Sequence, residues 1–322
     1  MTTAEAALDA VAPSRPPASQ WRMALRRLLR KRIAASALCL ILIFYGVGVL
    51  APLIAPHSYD QIDLNHTFAG PSLRHPLGTD RLGRDVLSRV IWASRTTVVV
   101  TVATLVTGGL VLGVGLGLLA GYKGGGWDTI TMRVGDVFLA LPGLLMLIMI
   151  SATLRPRWDG WMTHFYGWPI IGGTLKSGAS DYFLVFGVLS LFSWVGMARV
   201  IRSQVFALRQ TEYVQAAVAM GAGTGHVVWR HLLPNVSNLI VVVLSASLAS
   251  VAGSEIALTW LGVGVRPPTP SFGQLLFDGA GLSNLRTHPN LLLVPAGVLV
   301  VLFLSFNLLG DAVNDVLNPR TG

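Results

Sequence analysis

Six stretches of this chain stay apolar for the length needed to cross a lipid bilayer: Ile33–Ile54, Thr97–Ala120, Val134–Leu154, Tyr182–Ala198, Asn238–Leu261 and Leu291–Leu309. A helix needs roughly 20 such residues to span the hydrocarbon core. The first stretch carries no charge, the fourth stops short at Arg199, and the fifth holds one acid, Glu255. In lipid every backbone N–H and C=O must be bonded within the protein, which leaves only helices and closed barrels. Barrel strands would show alternating segments of about 10 residues, and these runs do not alternate. The expected fold is therefore an all-α membrane protein with six transmembrane helices. Of the 322 residues 52% are hydrophobic and 12% charged, against about 25% charged in an ordinary soluble domain. That composition excludes a soluble globule and a disordered chain. The single cysteine, Cys39, excludes a disulfide framework and a Cys-based zinc site.

Charge is concentrated at the start of the chain, where the first 32 residues hold seven Lys/Arg against Glu5 and Asp9. A basic cluster beside an apolar run points to a membrane surface and its lipid rather than to nucleic acid. Residues 1–19 are rich in Ala, Pro and Ser and read as a disordered tail. Gln20–Arg32 reads as an amphipathic surface helix, with Trp21, Leu25, Leu28 and Leu29 on one face. The run that follows is too long for a signal-peptide core of 7–15 residues, so it reads as a retained first span. With six spans, segments 1–32, 121–133, 199–237 and 310–322 share one side and hold 14 Lys/Arg, whereas 55–96, 155–181 and 262–290 hold 10. The positive-inside rule then places both termini in the cytoplasm, with most of the contrast coming from the N-terminus. Trp158, Trp161, Tyr166 and Trp168 suit a membrane interface on the external side.

The motifs of catalysis are absent. There is no G-x-x-x-x-G-K-[ST] loop for ATP hydrolysis, no His-Glu-x-x-His and no Gly-x-Ser-x-Gly. The seven histidines are scattered over predicted loops, so a metal cluster would need tertiary convergence; no catalytic residue and no metal ligand is assigned. An ion-coupled secondary transporter would show inverted repeats, broken helices and matched intramembrane ligands. One intramembrane acid and no clear repeat argue against it.

The informative polar segment lies between the fourth and fifth spans. Residues 203–220 are expected to form a helix ending at Gly221, where glycine permits left-handed backbone. Thr224 can cap a second short helix that Pro234 helps to end. Ala216 and Ala217 keep one face small, and Tyr213, Val214 and Met220 surround it with apolar contacts. Two readings remain open from physics alone: a docking knob for a soluble partner, or a loop packed on its own bundle.

This segment resembles the EAA motif in permease subunits of bacterial ATP-binding-cassette (ABC) importers. That pattern is Glu-Ala-Ala, three residues, Gly, nine residues, Ile, any residue, Leu and Pro. The match falls at Ala216, Ala217, Gly221, Leu233 and Pro234; Gln215 replaces the Glu and His231 the Ile. The ending Arg230-His-Leu-Leu-Pro-Asn235 is similar to the peptide/nickel branch of that family. So are the stretches His75–Arg89, Gly121–Asp128 with Met132, Arg133, Asp136 and Pro142, and Leu261–Gly273. The resemblance covers about residues 25–315. It implies the type-1 transmembrane fold of ABC importers in a bacterial plasma membrane, with an N-terminal unit at 20–96, a five-helix core at 97–311 and a cytoplasmic tail at 312–322. It also implies di- or oligopeptide import, with nickel chelates or glutathione-like peptides as alternatives. Implied partners are a second related permease subunit, two cytoplasmic ATPases and an external solute-binding protein. The ATP would sit on the ATPases, with no cofactor on this chain. Implied coupling residues are Glu212, Tyr213, Gln215, Ala216, Ala217, Gly221, Arg230, Leu233 and Pro234.

Other residues carry narrower expectations. Gly109, Gly113, Gly117 and Gly121 recur every four residues and favour close helix packing. Glu255 either lines a substrate pathway or bonds one helix to another. Asp85 is expected to pair with Arg81 and Arg89 on an external surface helix over Thr79–Arg95. Asp136, Asp311 and Asp315 read as caps or ion-pair members, and Cys39 as a small packing residue.

Overall fold

A computed structural model of the chain describes residues 26–168 and 178–317. After α1 (Arg32–Val49) and a short helical turn (Ala51–Ile54), an irregular segment with one 3-10 turn (Leu64–His66) leads to α2, a 38-residue helix over Val86–Lys123. Next come α3 (Gly125–Ala140), α4 (Gly143–Phe165), α5 (Ser180–Leu208), α6 (Glu212–Ala219) and α7 (Thr224–Trp260). The short α8 (Phe272–Gly279) and α9 (Leu282–Thr287) precede α10 (Asn290–Leu317). Helices α1, α2, α5, α7 and α10 are long and apolar enough to cross a membrane; α3 and α4 form a sixth span only if counted together.

The third expected span is thus broken. α3 and α4 meet at 93°. The cause is Pro142, whose ring pushes Leu141 out of helical geometry into extended backbone (φ −105°, ψ 149°). The helix restarts with the Met146 N–H donating to the Pro142 carbonyl at 3.1 Å.

The core runs along α5, where Val185, Val188, Val195, Ala198, Ile201 and Val205 are buried. α2 lies against it through glycine. A Cβ at Gly113, Gly117 or Gly121 would come within 2.7 Å of Met197 Cβ, 2.8 Å of the Ala198 oxygen and 2.8 Å of Val205 Cβ. Upstream the contact passes to Gly108, where a Cβ would lie 2.9 Å from Ser190 Cα, while Gly109 faces Leu244 of α7. The expected four-residue spacing fails there because Leu105–Val114 is π-wound and fits an extra residue into the turn.

α7 and α10 are antiparallel: Gly310 approaches Ala246, and Gly253 approaches Phe303. α1 packs on α2 and α10, with Ala37, Ile41, Phe44 and Phe306 in one cluster. The first residue of α10, Asn290, donates to the Leu77 carbonyl at 2.8 Å, so the 55–85 segment and the α7–α10 connection share one end of the bundle. At the other end Lys31 pairs with Asp315 at 3.0 Å.

Ion pairs lock the first of these ends. Asp80 binds Arg84 Nε and Arg89 Nη1, each at 2.7 Å, and Asp278 of α8 lies 3.5 Å from Arg89. Asp85 does not pair with Arg81 or Arg89. It caps α2, accepting from the Ser88 N–H at 2.8 Å and the Ser88 hydroxyl at 2.7 Å. The helix therefore begins at Val86, and residues 79–85 are not helical. Arg266 holds Asp159 and Asp181, each at 2.9 Å, tying α4 and α5 to the loop after α7. Those carboxylates, Asp181 first, raise the affinity of the Arg266 guanidinium for its proton above the ordinary value.

Several local expectations change. α4 runs helically to Phe165, so Trp158 and Trp161 sit on a helix, and Trp158 Nε1 donates to the Ser180 carbonyl at 3.0 Å. Cys39 is exposed on the outer face of α1 and is not a packing residue. Asp136 pairs with Arg199 at 2.5 Å. α10 continues to Leu317, past the expected boundary at 311. Residues 1–19, with Trp21 and Leu25, lie outside the described residues; 26–30 are helical, with Leu28 buried and Leu29 exposed.

Candidate functional site

A helical hairpin projects from the end of the bundle where α5 stops and α7 starts. The long helix expected over 203–220 is two helices. α5 ends at Leu208, Thr211 adopts extended backbone with its hydroxyl bonded to the Leu208 carbonyl at 2.6 Å, and α6 follows. Two residues of α6 face inward, Val214 and Ala217, three apart on one face. Val214 joins Val205, Val227, Leu232 and Val236, so the hairpin shares a core with α5 and α7.

The C-terminal end of α6 is closed by glycine. Gly221 has φ +87°; its N–H donates to Val218 and that of Ala222 to Ala217. This is the paired 5→2 and 6→1 bonding of a Schellman cap, and it requires left-handed backbone where Gly221 stands. The turn leads into α7, whose first helical residue is Thr224; Gly223, not Thr224, occupies the capping position.

Pro234 does not end a helix, as its chemistry suggested. It lies in the first turn of the regular part of α7, just after the π-wound stretch Val227–Leu232. Since α7 is continuous from Thr224, Pro234 lies inside it and removes one backbone donor, next to a stretch whose winding already departs from the α pattern. The Asn235 side chain donates to the His231 carbonyl at 2.6 Å and so satisfies an acceptor there.

The outward face holds most of the expected coupling residues. Glu212, Tyr213, Gln215, Ala216, Gly221, Arg230 and Pro234 are exposed; Leu233 is half-buried, and Ala217 is buried. Gln215 bonds its own Gln210 carbonyl at 3.2 Å. Met220 is 83% exposed and Trp229 72%. The sequence reading missed Trp229, whose signal was a tryptophan beside Arg230 in a segment otherwise lacking a membrane run. A shallow depression of about 510 Å³ opens between the helices, lined by Tyr213, Met220, Gly221, His226, Arg230 and His231.

Beside the hairpin, charged side chains tie the end of α5 to its neighbours. Arg209 donates to the carbonyls of Gly121 and Tyr122, each at 3.3 Å, and its guanidinium lies 4.0 Å from the Phe206 ring centre. Arg202 forms a two-pronged pair with Asp128 of α3. The ends of α2, α3 and α5 are thus joined next to the base of the hairpin.

Glu255 lies far from the hairpin. It is 0% exposed, accepting from Thr97 of α2 at 2.9 Å and from Thr259 at 3.3 Å. The Thr97 bond joins α2 to α7, and the Thr259 bond lies within α7.

Comparison with known proteins adds the family. The description "Binding-protein-dependent transport system inner membrane component" matches residues 113–322, and "N-terminal TM domain of oligopeptide transport permease C" matches residues 19–71. The oligopeptide transport system permease protein OppC of Bacillus subtilis is 30% identical over 97% of this chain and 93% of its own length. The dipeptide transport system permease protein DppC of Alkalihalophilus pseudofirmus is 31% identical over 96% of this chain and 95% of its own. The glutathione transport system permease protein GsiD of Pectobacterium atrosepticum is 32% identical over 93% and 91%. With its helical architecture and this coverage, the chain belongs to the binding-protein-dependent transport system inner membrane components, as a non-catalytic, multi-pass permease subunit of an ABC importer.

Proposed function

We propose that this chain forms half of a translocation pathway for di- and oligopeptides and takes its driving motion from a cytoplasmic ATPase through the hairpin over 212–234. The observation that carries the coupling role is the hairpin's exposed face. Tyr213, Met220 and Trp229 stand out from a knob whose inner side is fused to the bundle. An apolar face on a rigid base is a surface for a partner rather than for water. The peptide reading rests on the relatives that carry dipeptides and oligopeptides by name. A glutathione-like peptide is the second reading, favoured by the relative named for glutathione.

The hairpin and both described ends of the chain lie at one end of the bundle, because α7 and α10 are antiparallel and Lys31 meets Asp315. The basic N-terminal segment assigns that end to the cytoplasm. The complex pairs this chain with a second, related permease subunit, two ATPases and an external binding protein. ATP binding draws the ATPases together, the hairpins move with them, and the permeases turn outward to receive substrate from the binding protein. Hydrolysis restores the inward state. Such coupling requires ATP and binding protein to prefer different states of the pair, since equal affinity for both would shift nothing.

The test uses Ala216→Arg. Ala216 is exposed, so the change leaves the hairpin's packing intact while placing charge on the docking face. ATPase subunits are expected to co-purify with the native chain and to be lost with the variant, along with uptake of labelled dipeptide. Normal co-purification and uptake by the variant would refute the docking role. Parallel uptake of dipeptides, longer peptides, glutathione and chelated nickel decides the substrate.

A further inference from the structure

The fold brings two histidines and one aspartate together at the end of the bundle opposite the hairpin. His57 follows α1, His75 stands in the irregular segment before α2, and Asp85 caps α2. One potential ligand atom from each lies within 4.8 Å of the others. His75 Nδ1 is 3.0 Å from Asp85 Oδ1, and His57 Nδ1 is 3.8 Å from Asp85 Oδ2. The two imidazole rings lie 4.8 Å apart, tilted by 30°. These residues are 18 and 10 positions apart in the sequence, so no short motif joins them.

One atom of this cluster is left without a partner by the protein's own groups. His57 Nδ1 is shut off from solvent and has no hydrogen-bond partner, although it faces the carboxylate. Asp85 is buried; both its oxygens are hydrogen-bonded, Oδ2 by Ser88 and Oδ1 by His75, and among the described residues its ionic partners are these two histidines, whereas nearby Asp80 holds two arginines. A buried charge needs a partner or a metal. We infer that His57, His75 and Asp85 bind one borderline divalent metal ion of the zinc class.

The chemistry fits that class. Imidazole suits zinc, copper and nickel, and one carboxylate completes a common three-ligand set. Metal–ligand bonds of about 2.0–2.1 Å in a tetrahedron set ligand atoms about 3.3 Å apart; here His75 Nδ1 is 3.0 Å from Asp85 Oδ1, His57 Nδ1 is 3.8 Å from Oδ2, and one ligand atom from each residue lies within 4.8 Å of the others, so binding requires the imidazoles to draw in on the ion. The second shell is in place as well. Ser88 donates its N–H and its hydroxyl to Asp85 Oδ2, which orients that carboxylate, and its hydroxyl accepts from the His57 backbone N–H at 3.0 Å, which fixes the His57 main chain beside it. The fourth position opens to a cleft of about 570 Å³ also lined by Gln61, His66 and Arg74, where water can complete the shell. The ion would brace the segment after α1 against the first turn of α2. It has no part in the coupling hairpin, so the two roles fail independently.

The test is Zn²⁺ binding to the full-length chain in lipid nanodiscs, followed by calorimetry, with Co²⁺ as a spectroscopic probe. One Zn²⁺ per chain is expected to bind, to raise the unfolding temperature, and to be replaced by Co²⁺ with the visible absorption of a tetrahedral site. His57→Ala and His75→Ala are each expected to weaken binding at least tenfold, and His164→Ala to leave it unchanged. Asp85→Asn keeps a residue able to cap α2, so loss of metal in that variant reports ligation rather than unfolding. Absence of one-to-one binding, a Co²⁺ spectrum without tetrahedral character, or full retention of affinity in both histidine variants would overturn the site.

Discussion

Gly221 and Asp80 show how much a single residue decides in this protein. At Gly221 a Cβ would meet nothing within 4 Å, so the constraint is the backbone angle alone. Gly221→Val is expected to strain the cap by about 1–2 kcal/mol, to loosen α6, and to lower ATPase co-purification while membrane insertion stays normal. Unchanged co-purification would show that the cap is dispensable. Asp80 is the opposite case, because its setting is buried charge. Asp80→Asn leaves Arg84 and Arg89 sharing Asp278, and breaking a buried pair costs about 3–5 kcal/mol. Thermal unfolding in detergent should fall clearly below that of the native chain; an unchanged midpoint would mean that water, not Asp80, satisfies Arg89. The sequence showed Arg89 near an acid at helical spacing but selected Asp85. The true partner, Asp80, is nine residues away on a non-helical turn, and no periodicity reports such a contact.

Between helices, small residues decide how closely backbones approach. Along α2 the stripe facing α5 consists of Gly108, Gly113, Gly117 and Gly121, whereas Gly115 has open space beside it. Gly117→Leu is expected to push α2 off α5, to reduce yield and to lower the unfolding temperature, and Gly115→Leu to do neither. Equal effects from the two would contradict this packing. The stripe was legible as a four-residue repeat, yet its upper position shifted by one residue because the helix is π-wound there. In the same way Pro142 was visible in the sequence, but whether a proline kinks, breaks or merely starts a helix depends on what packs around it. Pro142 divides α3 from α4, Pro234 opens the regular part of α7, and Pro156 is carried inside α4.

For the whole molecule, the testable quantity is the side of the membrane on which each end lies. Leu73 and Met220 are both highly exposed at opposite ends of the bundle. In a Cys39→Ala background, Leu73→Cys should react with a membrane-impermeant thiol reagent in intact spheroplasts, and Met220→Cys only after the membrane is opened. The reverse pattern would invert the topology and remove the hairpin from any cytoplasmic ATPase.

Length and polarity of the apolar runs were enough to make this chain a helical membrane protein, since lipid offers no partner for unbonded backbone. The spacing of Ala216, Ala217, Gly221, Leu233 and Pro234 carried the resemblance behind the proposed coupling role, and the cap at Gly221 was legible because it is a local property of neighbouring residues. Tertiary structure alone decided which face of α6 is outward, which acids hold Arg84 and Arg89, the enclosure of Glu255, and the meeting of His57, His75 and Asp85. Each of those depends on segments brought together by packing, and the one-dimensional pattern carries no distance between them.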